Sequence, residues 1–180
     1  NGFGLIGDNE MAYTVSSNLI TNLDASPTVL NDVGLSGGRV RICMDSFETG
    51  APVDTNALAL CRLPAACRII SIKLFNDDLG DAIPVDVGIY TTAGVAKDPN
   101  EFAIAVTMAS ASTNANAQQG HECRFEADET EFDALSSRLY TLAGDSAGDE
   151  EAYDIVVTVN GTVTNMATGT MGFMIMYVVD

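Results

Sequence analysis

The sole histidine, His121, sits in Gly120-His121-Glu122-Cys123, two positions from a thiol. An imidazole and a thiolate at that spacing supply two soft metal ligands. A tetrahedral zinc site needs four groups, and no second His/Cys pair at the usual spacing completes one. Asp77, Asp78 and Asp81 lie in Asn76-Asp77-Asp78-Leu79-Gly80-Asp81, where clustered loop oxygens suit a hard cation such as calcium. The ligand pattern of an EF-hand is missing, and an acidic turn in water explains the same residues. Asn160-Gly161-Thr162 matches a glycosylation sequon and reads equally as a turn. With one histidine, a Ser-His-Asp or Cys-His enzyme would have to use His121. No Gly-rich phosphate loop precedes a helix, and no G-x-S-x-G occurs. Carboxylate pairs are too abundant for any one to mark a glycosidase. The residues therefore assign no catalytic, cofactor-binding or metal-binding side chain, and the expectation is a protein that is not an enzyme and carries no cofactor.

The elements holding these residues are strands. Arg68 to Phe75 places Ile70, Ile72 and Leu74 on one face; Pro84 to Thr91 does the same for Val85, Val87 and Ile89, opposite Asp86, Gly88 and Tyr90. The acidic turn between them makes the pair read as a central hairpin. Arg39 to Phe47 alternates Val40, Ile42 and Met44 against Arg39, Arg41 and Cys43. Asn56 to Leu63 sets Leu58 and Leu60 against Ala57, Ala59 and Cys61, and Cys61 and Cys67 flank Leu63-Pro64 in a way that lets them face each other. Phe102, Ile104, Val106 and Met108 favour a strand, although the Ala-rich run also suits a short helix. Tyr153, Ile155, Val157 and Val159 share one face of another strand. Gly169 to Val179 is apolar on both faces, which requires cover on both sides. Helical spacing appears once, in Phe132, Leu135, Leu139 and Leu142, with Gly144 as the stop. Ile70, Ile72, Leu74, Val85, Val87, Ile89, Ile155 and Val157 are the expected core.

The fold class is therefore all-β, an antiparallel β-sandwich of jelly-roll-like winding with one short helix. An N-terminal arm and linker is expected over residues 1–38 and the sandwich over 39–180. The chain has 180 residues, enough for one domain with a full core, and 47% hydrophobic content argues against disorder. A net charge of -17 repels phosphate backbones and anionic membranes, so neither nucleic acid nor membrane is an expected partner. Basic residues are uneven: Arg39, Arg41, Arg62, Arg68 and Lys73 fall in one stretch, an asymmetry suited to head-to-tail contact or to five separate surface side chains. The four cysteines lie beside apolar runs and require no disulfide. No signal peptide is legible, and no apolar run approaches the ~20 residues that cross a bilayer.

Three groups of motifs resemble small structural proteins of tailed-bacteriophage virions. Asn22-Leu23-Asp24-Ala25-Ser26-Pro27, then Val33-Gly34 and Gly37-Gly38-Arg39-Val40-Arg41, is similar to their opening. Cys61-Arg62-Leu63-Pro64-Ala65-Ala66, Arg68-Ile69-Ile70 and Asp78-Leu79-Gly80 before Val85-Asp86-Val87-Gly88-Ile89-Tyr90 is similar to their centre. Leu139-Tyr140-Thr141-Leu142-Ala143-Gly144, Tyr153-Asp154-Ile155-Val156 and Gly169-Thr170-Met171 before Tyr177-Val178 resembles their ending. The likeness runs from about Asn22 onward, and its residues are turn glycines and strand apolars. It implies a capsid decoration (cement) protein on the outside of the head, made in the host cytoplasm. The implied partners are the major capsid protein and further copies of the chain, a trimer being the expected oligomer. The alternative is a tail, fibre or connector accessory protein acting as a receptor- or carbohydrate-binding module; the absence of Trp and a complement of five Tyr weaken an aromatic sugar platform.

Overall fold

The computed structural model describes residues 25–30, 38–49, 57–77, 79, 84–107, 121–124, 136–160 and 168–179. These residues form β1 (Val40–Thr49), β2 (Ala57–Pro64), β3 (Arg68–Asn76), β4 (Pro84–Thr91), β5 (Ala96–Thr107), β6 (His121–Glu122), α1 (Leu139–Leu142), β7 (Ala152–Val159) and β8 (Gly169–Val178). One four-stranded sheet runs β1-β8-β3-β6 and the other β2-β7-β4-β5, with every pairing antiparallel. The all-β sandwich expected from strand periodicity is therefore observed, and its strand order is consistent with jelly-roll winding.

The apolar rows meet between the sheets. Ile72, Leu74, Met171, Phe173 and Ile175 of the first sheet pack in one cluster with Val85, Val87, Ile89, Tyr153, Ile155 and Val157 of the second. This placement corrects the expected central hairpin: β3 and β4 belong to opposite sheets. Their apolar rows face each other across the core and do not lie side by side. β7 and β8 likewise belong to opposite sheets. The hairpin among the described residues is β4–β5, closed where the Thr91 N–H donates to the Val95 carbonyl at 2.8 Å and the Val95 N–H to Thr91 Oγ1 at 3.1 Å.

Seven of the eight expected core residues are buried in this cluster; Ile70, 39% exposed, is the exception. The register against β8 slips between Ile69 and Ser71, so Ile70 is the extra residue of a β-bulge. A bulge breaks strict alternation: Ile69 takes the inward position and Ile70 points out. A second bulge, between Ala59 and Cys61, brings Cys61 into register with the inward Ile155, on the same side as Leu58 and not opposite to it.

β5 explains why its sequence reads poorly. Phe102 and Ala103 are both buried, Ile104 and Ala105 are exposed, and Val106 is buried again, with Ala105 at φ 54. Between Val87↔Ala103 and Ile89↔Asp98 the strand carries surplus residues, which arch over β4. A Cβ on Gly88 would stand 2.2 Å from the Asp98 carbonyl oxygen and the Pro99 carbonyl carbon, so only glycine admits the arch.

α1 is shorter than the helix expected from Phe132; residues 125–135 lie outside the described set. Leu139 is buried, and Gly144 (φ 74) ends the turn as expected. The Leu139 and Tyr140 N–H groups donate to the Cys67 and Ala65 carbonyls, clipping α1 to the β2–β3 turn. Of the arm and linker expected over 1–38, residues 1–24 and 31–37 lie outside the described set.

Candidate interaction surface

The structure does not bring the candidate ligands together. His121 is exposed on the edge strand β6, whereas Cys123 is fully buried and its Sγ lies 3.6 Å from the His121 carbonyl oxygen. Asp77 is a clip: its N–H donates to the Thr170 carbonyl at 2.9 Å, and its Oδ2 accepts the Thr170 N–H at 3.0 Å. Asp78 and Asp81 lie outside the described residues, as do Gly161 and Thr162 of the sequon. The Asn160 amide donates to both Asp86 carboxylate oxygens at 2.9 and 3.0 Å. Among the described residues no group of three His, Cys, Asp or Glu side chains can hold a metal ion.

Cys43, Cys61, Cys67 and Cys123 are all free, and Cys61, on the inner face of β2, neighbours both Cys43 of β1 and Cys67. Cys61 and Cys67 are therefore not the only pair in reach of one another. Burial pushes the Cys67 thiol up to about 12, and burial followed by the Cys43 neighbour raises Cys61 further. Both remain protonated and poorly nucleophilic at neutral pH.

Three polar nodes were not legible in the sequence. Glu122 accepts from the Ser71 hydroxyl, from the Ile72 N–H at 2.9 Å and from the Arg124 N–H at 3.1 Å. Arg124 is fully buried, its Nε donating to the Ile69 carbonyl and its guanidinium 5.2 Å from the centre of the Phe102 ring. Asp86 holds β4, β5 and the end of β7 together by accepting from the Ala105 N–H at 2.8 Å as well as from Asn160. Asp145 takes the Lys97 ammonium at 2.8 Å and the Tyr153 hydroxyl at 2.6 Å. Lys97, then Tyr153, hold the Asp145 carboxyl below the ordinary carboxylate range. Each node spends its donors and acceptors on fixing chain segments.

What remains open is a surface. Val40, Ile42 and Met44 keep the shared face that alternation gives them, but that face points outward; they are 55%, 53% and 67% exposed. The reason lies in the opposite row, where Cys43 and Phe47 pack on the core. Across the ladder, Ile42 opposes Met176 and Met44 opposes Met174, both half-buried, so the outer apolar face of β8 is continued by β1 and not covered. Among the described residues β1 is also the edge of its sheet. The second cover that β8 demanded is thus only partly supplied among the described residues. Natural sheet edges are usually blunted or covered, and a contiguous exposed apolar row marks a contact site.

The charge around this face is distinctive. Three basic groups away from β1 have partners within the chain: Arg62 pairs with Asp154 at 2.7 Å, Lys97 with Asp145, and Arg68 Nε donates to the Ser136 carbonyl. Among the described residues, Arg39 and Arg41 at the start of β1 have no ionic partner and are exposed. The far end of β1 is acidic, but Asp45 accepts from the Ser46 N–H and Glu48 from the Thr170 hydroxyl.

No protein-family model matches the chain, and no curated protein matches it significantly. Among solved structures, a chain of the capsid of Ralstonia phage GP4 has the same fold with a TM-score of 0.54 at 23% identity, over 79% of this chain and 86% of that one. A chain of the capsid asymmetric unit of cyanophage Pam1 aligns over 87% of this chain and 97% of that one at 17% identity and a TM-score of 0.47.

Proposed function

We propose that the chain is a non-enzymatic structural component of a bacteriophage particle, bound to the outside of the head as a decoration (cement) protein that bridges major capsid subunits. The observation that carries this reading is the fold shared with a chain of the Ralstonia phage GP4 capsid over most of both chains. Two features of the molecule support it. The polar side chains that break the apolar pattern, Glu122, Asp86 and Asp145, are consumed in fastening loops to the sandwich. A net charge of -17 keeps the protein away from packaged DNA and suits an exterior position. The exposed outer face of β1 and β8 is the surface offered to neighbours. The partners in this reading are the major capsid protein and other copies of the chain, with a trimer as the assembly and neither nucleic acid nor membrane involved.

The test mixes the purified protein with heads that lack it. Co-sedimentation should saturate at a fixed ratio of chain to capsid subunit, and decorated heads should open at a higher temperature. Binding confined to tails or connectors would move the protein to an accessory role there, and no binding to any particle would overturn the reading.

A further inference from the structure

We propose that Cys43 of β1 and Cys61 of β2 are a redox site, which a small-molecule disulfide oxidises to a cross-link between the two sheets of the sandwich. Strands β1 and β2 belong to different sheets, and among the described residues each is the edge of its own. Cys43 stands opposite Ile175 in its ladder and Cys61 opposite Ile155, both isoleucines fully buried. Residues directly opposite in an antiparallel ladder project to the same face, so both thiols lie on the faces that meet at the core. There they pack against the buried cluster and neighbour each other. A disulfide between the two sheets is a known way of stapling a β-sandwich. The bond requires the sulfurs to close to about 2 Å, and an edge strand can shift toward the other sheet without straining a second ladder.

Other chemistry at the same thiols is weaker. Three neighbouring cysteines first suggest a soft metal, but no group of three His, Cys, Asp or Glu side chains among the described residues can hold one. Cys67 also neighbours Cys61, but it is fully buried and out of reach of an oxidant in solution, whereas Cys43 and Cys61 are half-buried. Burial, then the Cys43 neighbour, keeps Cys61 protonated, so Cys43 attacks first, as its thiolate. Its sulfur takes one half of the small disulfide and releases the other as a thiolate, which picks up a proton. Cys61 then gives its proton to water and attacks the Cys43 sulfur, expelling the second half. Two protein thiols are oxidised, and one small disulfide is reduced to two thiols. The chain is reduced in a cytoplasm held by glutathione and thioredoxin and becomes tied in an oxidising exterior. That use rests on the proposed role in a released particle. The bond itself does not, and it is tested on the free chain, so its failure leaves the particle-binding experiment standing.

The experiment incubates the folded full chain with glutathione disulfide at about pH 8, where thiolate is available, then alkylates the remaining thiols in denaturant and maps the peptides by mass spectrometry. The expected product carries one bond within the chain, Cys43–Cys61, with Cys67 and Cys123 recovered as free thiols. That bond closes the loop from residue 43 to residue 61. The melting temperature should therefore rise by roughly 5–10 °C and fall back with dithiothreitol. Cys43→Ser should show no rise under the same oxidant. Where that variant melts early, the wild-type map decides, because it needs no substitution. Folded wild-type protein that keeps all four thiols free, or that stops at a glutathione adduct, overturns the proposal. So does a map that shows Cys61–Cys67 or only bonds between chains, or a Cys43–Cys61 bond that leaves the melting temperature unchanged or lower.

Discussion

Ile70 and Ile72 lie two positions apart on what alternation makes one face of one strand, yet the bulge in β3 separates their fates. Ile72 is fully buried opposite Ile175, whereas Ile70 is 39% exposed on the outer face. Replacing Ile72 with Ala deletes three buried carbons, a transfer loss of roughly 2.4 kcal/mol at ~0.8 kcal/mol each. A void of about 50 Å³ left by partial collapse adds roughly 1.2 kcal/mol at ~24 cal/mol per Å³. The expected cost of Ile72→Ala is therefore about 3.5 kcal/mol. Ile70→Ala leaves no void, and only strand preference and a partly exposed surface are lost, about 1 kcal/mol or less. Urea titrations followed by circular dichroism measure both, with unchanged slopes as the check that the comparison is of stability alone. Equal losses at the two positions would place Ile70 in the core and remove the bulge from the account.

Gly88→Ala should destabilise by at least about 2 kcal/mol, because its Cβ meets Asp98 and Pro99 backbone atoms that cannot rotate away. Gly172→Ala is the matched control, since its nearest neighbours stand at 3.6 Å and beyond; equal effects in the two titrations would refute the arch of β5 over β4. Asp145 carries a lowered folded-state pKa, so unfolding takes up a proton there; its stabilisation is present above the ordinary carboxylate range and is lost as pH falls through the folded value. Melting curves from pH 7 downward should accordingly show less acid sensitivity in Asp145→Asn than in wild type, and identical pH profiles would contradict the Lys97–Asp145–Tyr153 node. Cys67 and Cys123 should resist Ellman's reagent at neutral pH until denaturant is added, as both are fully buried and Cys67 titrates only at about 12; prompt stoichiometric labelling of either in the folded protein would contradict their placement.

The sandwich was legible because β3, β4 and β7 carry rows of β-branched side chains at period two, and that period survives wherever the ladder is regular. Partner choice was not legible. An acidic turn after β3 reads as a hairpin, while the chain crosses to the other sheet because two apolar rows bury more surface facing each other than side by side. Ile70 was misplaced for a related reason: nothing in Arg68-Ile69-Ile70-Ser71 announces which isoleucine is the extra residue, and the bulge is fixed by pairing with β8. The outward turn of Val40, Ile42 and Met44 was hidden because their row is the more apolar one by composition, yet Cys43 and Phe47 on the other row fill the core. The same limit applies to the polar nodes. Asp86 reads as a wet-face residue of β4, and its role depends on Ala105 and Asn160, 19 and 74 positions away. His121, Cys123 and Asp77 drew notice as ligand types, but their geometry serves loops and edges.

The most direct test of the proposed virion role is a cryo-electron microscopy map of the phage particle in which this chain is proposed to reside. The account expects two-sheet density of this size repeated in register with the shell on its outer surface, with β1 and β8 turned toward neighbouring density. Particles with no such density on the head, or with it confined to the tail or a single vertex, would contradict it.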